Sequence, residues 1–151
     1  MSETAGVRLK AMTDFARELY VNLPVSDVPA TKRFFASLGF AFEPRFTNDD
    51  AACMILGDHA YVMLLTRRFF ATFTPRALGD PETSTLGLFA YNVSSRAEVD
   101  RAVELAVRAG GREARAAMDH GFMYSRSFFD LDGHQWEVLH IDQAQLPGAA
   151  A

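Results

Sequence analysis

The sequence FMYSRSFFDLDGHQWEVLHID, residues Phe122–Asp142, predicts a β-hairpin around which the rest of the chain is arranged. Two apolar, aromatic-rich runs flank the turn sequence DLDG at residues 130–133. Both aspartates of this turn can accept hydrogen bonds from nearby backbone N–H groups, and Gly133 can adopt a positive φ. The pattern therefore predicts a tight four-residue loop between two antiparallel strands.

The length of that loop predicts which residues face each other. If Phe129 lies opposite His134, then Arg126 lies opposite Glu137 because antiparallel partners step away from the turn together. Side chains alternate along a strand, so each strand has one set of residues on each face. The expected shared cavity face consists of Tyr124, Arg126, Phe128, Gln135, Glu137 and Leu139.

Composition limits the classes of protein to consider. The 151 residues are 49% apolar and 23% charged, which fits one globular core. The net charge is −4, and the sequence has no basic stripe of the kind that nucleic-acid binding needs. The single cysteine, Cys53, fits a reducing compartment, so the cytoplasm is expected. No apolar run is long enough to span a bilayer, and no membrane or nucleic-acid partner is expected.

The same order of elements, β-α-β-β-β, is predicted twice. The first module covers residues 17–66, and in its first strand Leu19, Val21, Leu23 and Val25 are expected to face the core, with Tyr20 and Asn22 on the other face. The second module covers residues 85–142, and its helix begins with the capping box Ser95–Glu98. A linker at residues 67–84, an arm at 1–16 and a tail at 143–151 complete the chain. The predicted fold class is α+β, with the strands of the two modules forming a curved mixed sheet around a cavity.

Three stretches carry a resemblance to a known family. They are LPVSD at residues 23–27, FFASLGF at 34–40 and DLDGHQWE at 130–137. Together with the duplicated module, this chain resembles the vicinal oxygen chelate superfamily. That superfamily includes glyoxalases, extradiol dioxygenases, fosfomycin-resistance enzymes and bleomycin-resistance proteins. The resemblance covers residues 17–142 and implies a homodimer, which would also cover long apolar strand edges.

In metal-dependent members, the resemblance implies that each module supplies two inward ligands, one from its first strand and one from its last. The motifs place Tyr20, Leu64, Leu88 and Glu137 at these four positions. Only Glu137 is a residue type that suits such a site, because leucine offers no donor atom. We therefore expect no metal site, with Glu137 held by Arg126 either as a structural salt bridge or as a pair that orients a ligand.

Other chemistry-bearing residues have two possible roles each. His120, in a polar loop before the hairpin, is either an exposed loop residue or, with Glu137, an acid-base group. His59 and His134 occupy equivalent turn positions and are either turn residues or ligands. His140 shares a face with Trp136, where we expect it to pack. Phe69, Phe70 and Phe73 either form a lid or bury the linker.

The candidate residues and the family resemblance together predict two alternative functions. The first is a metal-free protein that binds a small organic molecule through Tyr20, Asn22, Tyr124, Arg126 and Glu137, like the bleomycin-resistance branch. The alternative is a metalloenzyme, a glyoxalase-like lyase or an extradiol-type dioxygenase, in which a divalent metal binds at Glu137. The sequence does not decide whether the protein is an enzyme.

Overall fold

The computed structural model describes residues 17–146 and 148. The predicted arm at residues 1–16, and residues 147 and 149–151 of the tail, lie outside the described residues. Within the described part of the chain, no helix has the length and apolar character needed to cross a membrane.

The first half of the chain has the predicted order of strand, helix and three strands. Helix α1 begins after Asp27, whose carboxylate accepts a hydrogen bond from the N–H of Ala30 and so caps it. Short helix α2 follows the last strand directly. The elements are β1 (Leu19–Val25), α1 (Val28–Ser37), β2 (Ala41–Phe42), a 3₁₀ turn (Pro44–Phe46), β3 (Ala51–Gly57), β4 (Ala60–Thr66) and α2 (Arg67–Ala71).

The second half repeats this order with one additional short strand. Helix α3 is capped by the Ser95 hydroxyl, which accepts a hydrogen bond from the N–H of Glu98. The Glu98 carboxylate reaches back to the backbone N–H of Ser94 rather than that of Ser95. The elements are β5 (Leu88–Asn92), α3 (Arg96–Arg108), β6 (Arg112–Glu113), β7 (Met118–Asp119), β8 (Met123–Phe129), β9 (Gln135–Ile141) and a 3₁₀ turn (Gln143–Gln145).

The strands form two mixed sheets, one from each half of the chain. The first sheet has the order β1-β4-β3-β2, and the second has the order β5-β9-β8-β6 with β7 also paired to β8. The first and last strands of each module, β1 with β4 and β5 with β9, are parallel, and the remaining pairs are antiparallel. The predicted α+β class is confirmed, with two mixed sheets where the sequence predicted one curved sheet. Strands β1 and β5 are edge strands of their sheets.

One hydrophobic core joins the two modules. The ring of Phe35 on α1 lies 5.0 Å from Trp136 on β9, and Phe34 lies 6.1 Å from Phe128 on β8. Val99 and Val103 of α3 are fully buried in the same cluster. Burying each of these large side chains contributes about 1.5–3 kcal/mol, so the modules stabilise each other. The predicted core face of β1 is confirmed for Leu23 and Val25. Leu19 is 61% exposed because it is the first residue of the strand and lies outside the core cluster.

The central hairpin has a different register from the one that the sequence predicted. Phe129 pairs with Gln135 rather than His134, so Ser127 lies opposite Glu137 and Arg126 lies opposite Val138. The N–H of Gly133 donates to the carbonyl of Asp130, and Gly133 has a φ of 96°. A turn followed by a residue with positive φ adds a bulge, and that extra residue shifts every pair by one.

The carboxylate of Asp130 holds this turn from inside the protein. It accepts hydrogen bonds from the backbone N–H groups of Asp132 and His134, both at 3.0 Å, and from Nε1 of Trp136, also at 3.0 Å. Asp130 is only 3% exposed, and burial raises the pKa of its carboxyl group. The turn is therefore tied to the largest side chain of the core.

The same turn connects the hairpin to the rest of the chain. Asp132 accepts a hydrogen bond from the N–H of Ser26 at 2.8 Å, and Nε2 of His134 lies 2.8 Å from the carbonyl oxygen of Pro24. A side chain on Gly133 would place its Cβ 2.9 Å from the carbonyl oxygen of Pro81. The turn thus meets both the start of the first helix and the segment that joins the modules.

We expect Asp130→Asn to lower the free energy of unfolding by about 2–4 kcal/mol, because an amide cannot accept all three hydrogen bonds and buried donors lose their partners. Urea denaturation checks this value. Asp80→Asn is the matched control, since the exposed Asp80 carboxylate accepts one bond from the N–H of Glu82 and asparagine can accept the same bond. Equal losses in the two variants would contradict the special role of Asp130.

Candidate functional site

The second sheet has two faces with different chemistry. One face packs against α3 and the core, and it carries Phe89, Phe128, Trp136 and Val138. The other face, which we call the open face, carries the alternate residues of the same strands. Its residues are Leu88, Ala90 and Asn92 on β5, Gln135, Glu137 and Leu139 on β9, and Ser125 and Ser127 on β8.

Glu137 lies on the open face and forms an ion pair with Arg115. Nη2 of Arg115 lies 2.9 Å from Oε2 of Glu137, and Nε lies 3.4 Å from Oε1. The same guanidinium donates to Ser125 Oγ at 3.2 Å and to the carbonyl oxygen of Ala116 at 3.0 Å. The Glu137 side chain is 12% exposed and that of Arg115 is 30% exposed. The pair is therefore mostly withdrawn from water and fixed in orientation by four contacts.

Two further polar side chains adjoin this pair. Gln135 donates from Nε2 to Oε1 of Glu137 at 3.3 Å. Ser127, which lies directly across from Glu137, is completely buried. Its Oγ is the one buried side-chain polar atom among residues 17–146 and 148 that has no hydrogen-bond partner. Buried hydroxyl groups usually have a partner, and a buried water molecule is the ordinary one where protein atoms do not supply it.

The predicted pairing of Arg126 with Glu137 is wrong, because the two residues lie on opposite faces of the hairpin. Arg126 donates to Asp100 at 3.0 Å and to Glu113 at 3.1 Å. The hydroxyl of Tyr124 donates to the same Asp100 at 2.7 Å, and this bond raises the pKa of Tyr124. Tyr124 and Arg126 thus attach the sheet to α3, and they do not share a cavity with Glu137 as the sequence predicted.

The structure does not bring His120 to Glu137. His120 is exposed in the turn between β7 and β8, where its ring lies 6.3 Å from that of Phe122. Its neighbour Asp119 instead binds Arg96 through two hydrogen bonds of 2.8 Å, which lower the pKa of the Asp119 carboxyl group. An acid-base role for His120 stays a prediction.

Tyr20 and Asn22 lie together on the first sheet, on the face opposite the one that packs into the shared core. The ring of Tyr20 stacks on that of Tyr61 at 4.9 Å, and its hydroxyl donates to Glu18 at 2.5 Å. This bond raises the pKa of Tyr20 to about 12, so the phenol is neutral near pH 7. Asn22 donates from Nδ2 to the carbonyl oxygen of Tyr20 at 3.2 Å. Tyr20 is 45% exposed and remains accessible to a ligand.

The donor set does not fit the metal site that the family resemblance implies. Leu64 is completely buried and pairs with Leu23 on the core side of the first sheet, so the adjacent Met63 occupies the other face. Leu88 has no donor atom, and the Glu137 carboxylate already binds Arg115. Among the described residues, no group of three or more His, Cys, Asp or Glu side chains is arranged to hold a metal ion. Two leucines and a carboxylate that is already paired with an arginine do not suit a divalent cation.

Comparison with family models assigns the fold. Residues 18–138 match the model described as Glyoxalase/Bleomycin resistance protein/Dioxygenase superfamily. This match spans most of the chain, and the order of its elements agrees with the duplicated module. The chain therefore belongs to the Glyoxalase/Bleomycin resistance protein/Dioxygenase superfamily. Comparison with curated proteins gave no match.

Several solved structures share this fold. A hypothetical protein from S. aureus is 23% identical, with a TM-score of 0.71 over 83% of this chain and 95% of that chain. A glyoxalase-related enzyme from Fulvimarina pelagi is 23% identical, with a TM-score of 0.70 over 83% of this chain and 88% of that chain. A fosfomycin resistance protein from Mesorhizobium loti is 16% identical, with a TM-score of 0.59 over 81% and 89% of the two chains. At these identities the similarity establishes the fold alone, and the function has to be inferred from the residues of the site.

We predict that Arg115→Met and Glu137→Gln each lower the free energy of unfolding by about 1–3 kcal/mol, between the values typical of exposed and buried ion pairs. The double variant should recover part of this loss, because it leaves no unpaired charge. Chemical denaturation of the four proteins gives the coupling energy. The combination of Arg126→Met with Glu137→Gln is the control and should be additive within about 0.5 kcal/mol. Coupling in the control combination, or none between Arg115 and Glu137, would contradict the structure.

Proposed function

We propose that this protein binds a small organic molecule at the open face of the second sheet without the divalent metal of its metal-dependent relatives. One observation carries the proposal: Arg115 neutralises Glu137, the only residue of a metal-ligand type at the four expected positions. The guanidinium supplies positive charge in the place where a metal-dependent relative would use a cation. Arg115 donates fixed hydrogen bonds and Glu137 accepts them, so the pair can orient polar groups of a ligand.

The surrounding residues add groups that suit recognition rather than hydrolysis. Gln135, which is partly exposed, offers an amide beside Glu137. Nucleophilic catalysis needs a serine or cysteine within reach of a general base. The Ser125 hydroxyl instead contacts Arg115, which cannot accept a proton, and Cys53 is buried, which raises the pKa of its thiol. These features favour a binding protein over a hydrolase.

Metal analysis separates this proposal from a glyoxalase- or dioxygenase-like metalloenzyme. Protein purified without chelator should contain iron, nickel, manganese and zinc well below one equivalent by inductively coupled plasma mass spectrometry. Its melting temperature should not rise when any of these ions is added, because a ligand that binds only the folded state would raise it. One equivalent of tightly bound metal that is lost in Glu137→Gln would overturn the proposal.

We propose that the protein forms a homodimer. Leu88 is 57% exposed and Leu19 is 61% exposed, and each lies on an edge strand, β5 and β1 respectively. Exposed apolar edges of this kind are usually covered in a native assembly. A homodimer that covers both strands would also enclose the open face and exclude water from the Arg115–Glu137 pair.

We expect the protein to be a dimer by size-exclusion chromatography with light scattering at tens of micromolar. Leu88→Glu should shift it to a monomer, because the charge would be buried in the contact. Val107→Glu is the matched control, since Val107 is 47% exposed on helix α3 and outside both edge strands. A monomeric wild-type protein, or a dimer that Leu88→Glu leaves intact, would refute this assembly.

A further inference from the structure

A cavity of about 510 Å³ lies between the two modules, outside the Arg115–Glu137 pair. Its walls come from β1, from the turn before β9 and from the segment that joins α2 to β5. Cavities of roughly 300–1,000 Å³ with mainly apolar walls are typical sites for small organic molecules. The apolar side chains of the wall include Val21, Phe70, Leu78 and Phe89.

Polar side chains also line this cavity, and among them are two amides, those of Asn22 and Gln135. The hydroxyl groups of Thr74, Ser84 and Thr85 line it as well. Nδ2 of Asn22 donates to the carbonyl oxygen of Tyr20, and Nε2 of Gln135 donates to the carboxylate of Glu137. A carbonyl or ionised carboxylate oxygen only accepts hydrogen bonds, so these contacts fix the orientation of both amides. The Oδ1 of Asn22 and the Oε1 of Gln135 can therefore each accept a hydrogen bond from a ligand, and each amide keeps one further N–H.

The charged residues of the cavity wall balance each other. Arg76 and Asp80 both line it and carry opposite charges. His134 also lines it, and its Nε2 must donate because it lies 2.8 Å from the carbonyl oxygen of Pro24. The opposite charges of Arg76 and Asp80 give the wall no net charge of its own, and the two oriented amide oxygens can accept a hydrogen bond from a donor group.

From this arrangement we propose that the cavity binds a neutral, mainly apolar molecule, such as an aromatic or alicyclic compound, that carries a hydroxyl or N–H donor. The donor binds Asn22 Oδ1 or Gln135 Oε1, and the apolar body packs between Phe70, Phe89 and Val21. This inference rests on the proposed function, because it specifies the ligand class for a small-molecule binding protein. Gln135 contacts both the cavity and Glu137, so the donor group of the ligand would lie next to the ion pair.

The probe 1-aminoanthracene tests this site, because it is neutral, apolar and fluorescent, and its amine donates a hydrogen bond. Trp136 is the only tryptophan, and its ring lies 5.4 Å from that of Phe89 in the cavity wall. Bound probe should therefore show energy transfer from Trp136. Ala77→Phe should weaken probe binding at least fivefold, because Ala77 lines the cavity. Ala71→Phe, on α2 and outside the wall, is the matched control and should leave binding unchanged.

Displacement by two competitors tests the donor preference. 2-Naphthol should displace the probe at about 3- to 10-fold lower concentration than 2-methoxynaphthalene, the range expected from one neutral hydrogen bond. Asn22→Leu combined with Gln135→Met should abolish this difference. Gln143→Met, which replaces an exposed glutamine of the C-terminal 3₁₀ turn outside the cavity, is the control and should preserve it.

Equal displacement by the two competitors, or probe binding that Ala77→Phe does not weaken, would overturn the inference. The outcome is separable from that of the metal analysis. Bound metal at Glu137 together with donor-selective probe binding would refute only the proposed metal-free function. Metal-free protein that fails to bind the probe would refute only this cavity as the ligand site.

Discussion

The buried carboxylate of Asp130 determines where the two halves of this fold meet. Three hydrogen bonds to one carboxylate fix the turn and orient Trp136, whose ring packs against Phe35 from the first module. The turn also presents Asp132 to Ser26 at 2.8 Å. A single buried acceptor group thus couples local turn geometry, core packing and the contact between modules. Such a group is costly to bury unless all its bonds are made, which makes the geometry of the turn specific.

The order of the elements could be predicted from the sequence because it depends on local patterns. Alternating apolar residues identified the strands, and the capping residue Ser95 marked the start of helix α3. The pairing of β8 with β9 could not be predicted in the same way. It depends on whether the turn includes a bulge, and the positive φ of Gly133 adds one residue to it. An error of one residue in register transfers a side chain to the wrong face of the neighbouring strand.

The ion pair at Glu137 could also be predicted only in part, because its arginine lies far away in the sequence. The sequence predicted that an arginine neutralises Glu137, and the structure supplies Arg115 in place of Arg126. Arg115 lies between two strands of only two residues each, β6 and β7, where no periodicity indicates the direction of a side chain. Its contact with Glu137 spans 22 residues. The correct register would have excluded Arg126, but it would not have identified Arg115, because that contact depends on the path of a loop.

We propose that a guanidinium group takes the place of the metal ion at Glu137, which would separate this chain chemically from metal-dependent proteins of the same fold. The most direct test is a crystal structure of protein grown with millimolar nickel or zinc chloride, with anomalous data collected at the absorption edge of the metal. The account predicts no anomalous peak at the Glu137 carboxylate and an Arg115 Nη2 to Glu137 Oε2 distance near 2.9 Å. A metal ion at about 2.0–2.2 Å from Glu137, with Arg115 displaced, would contradict it.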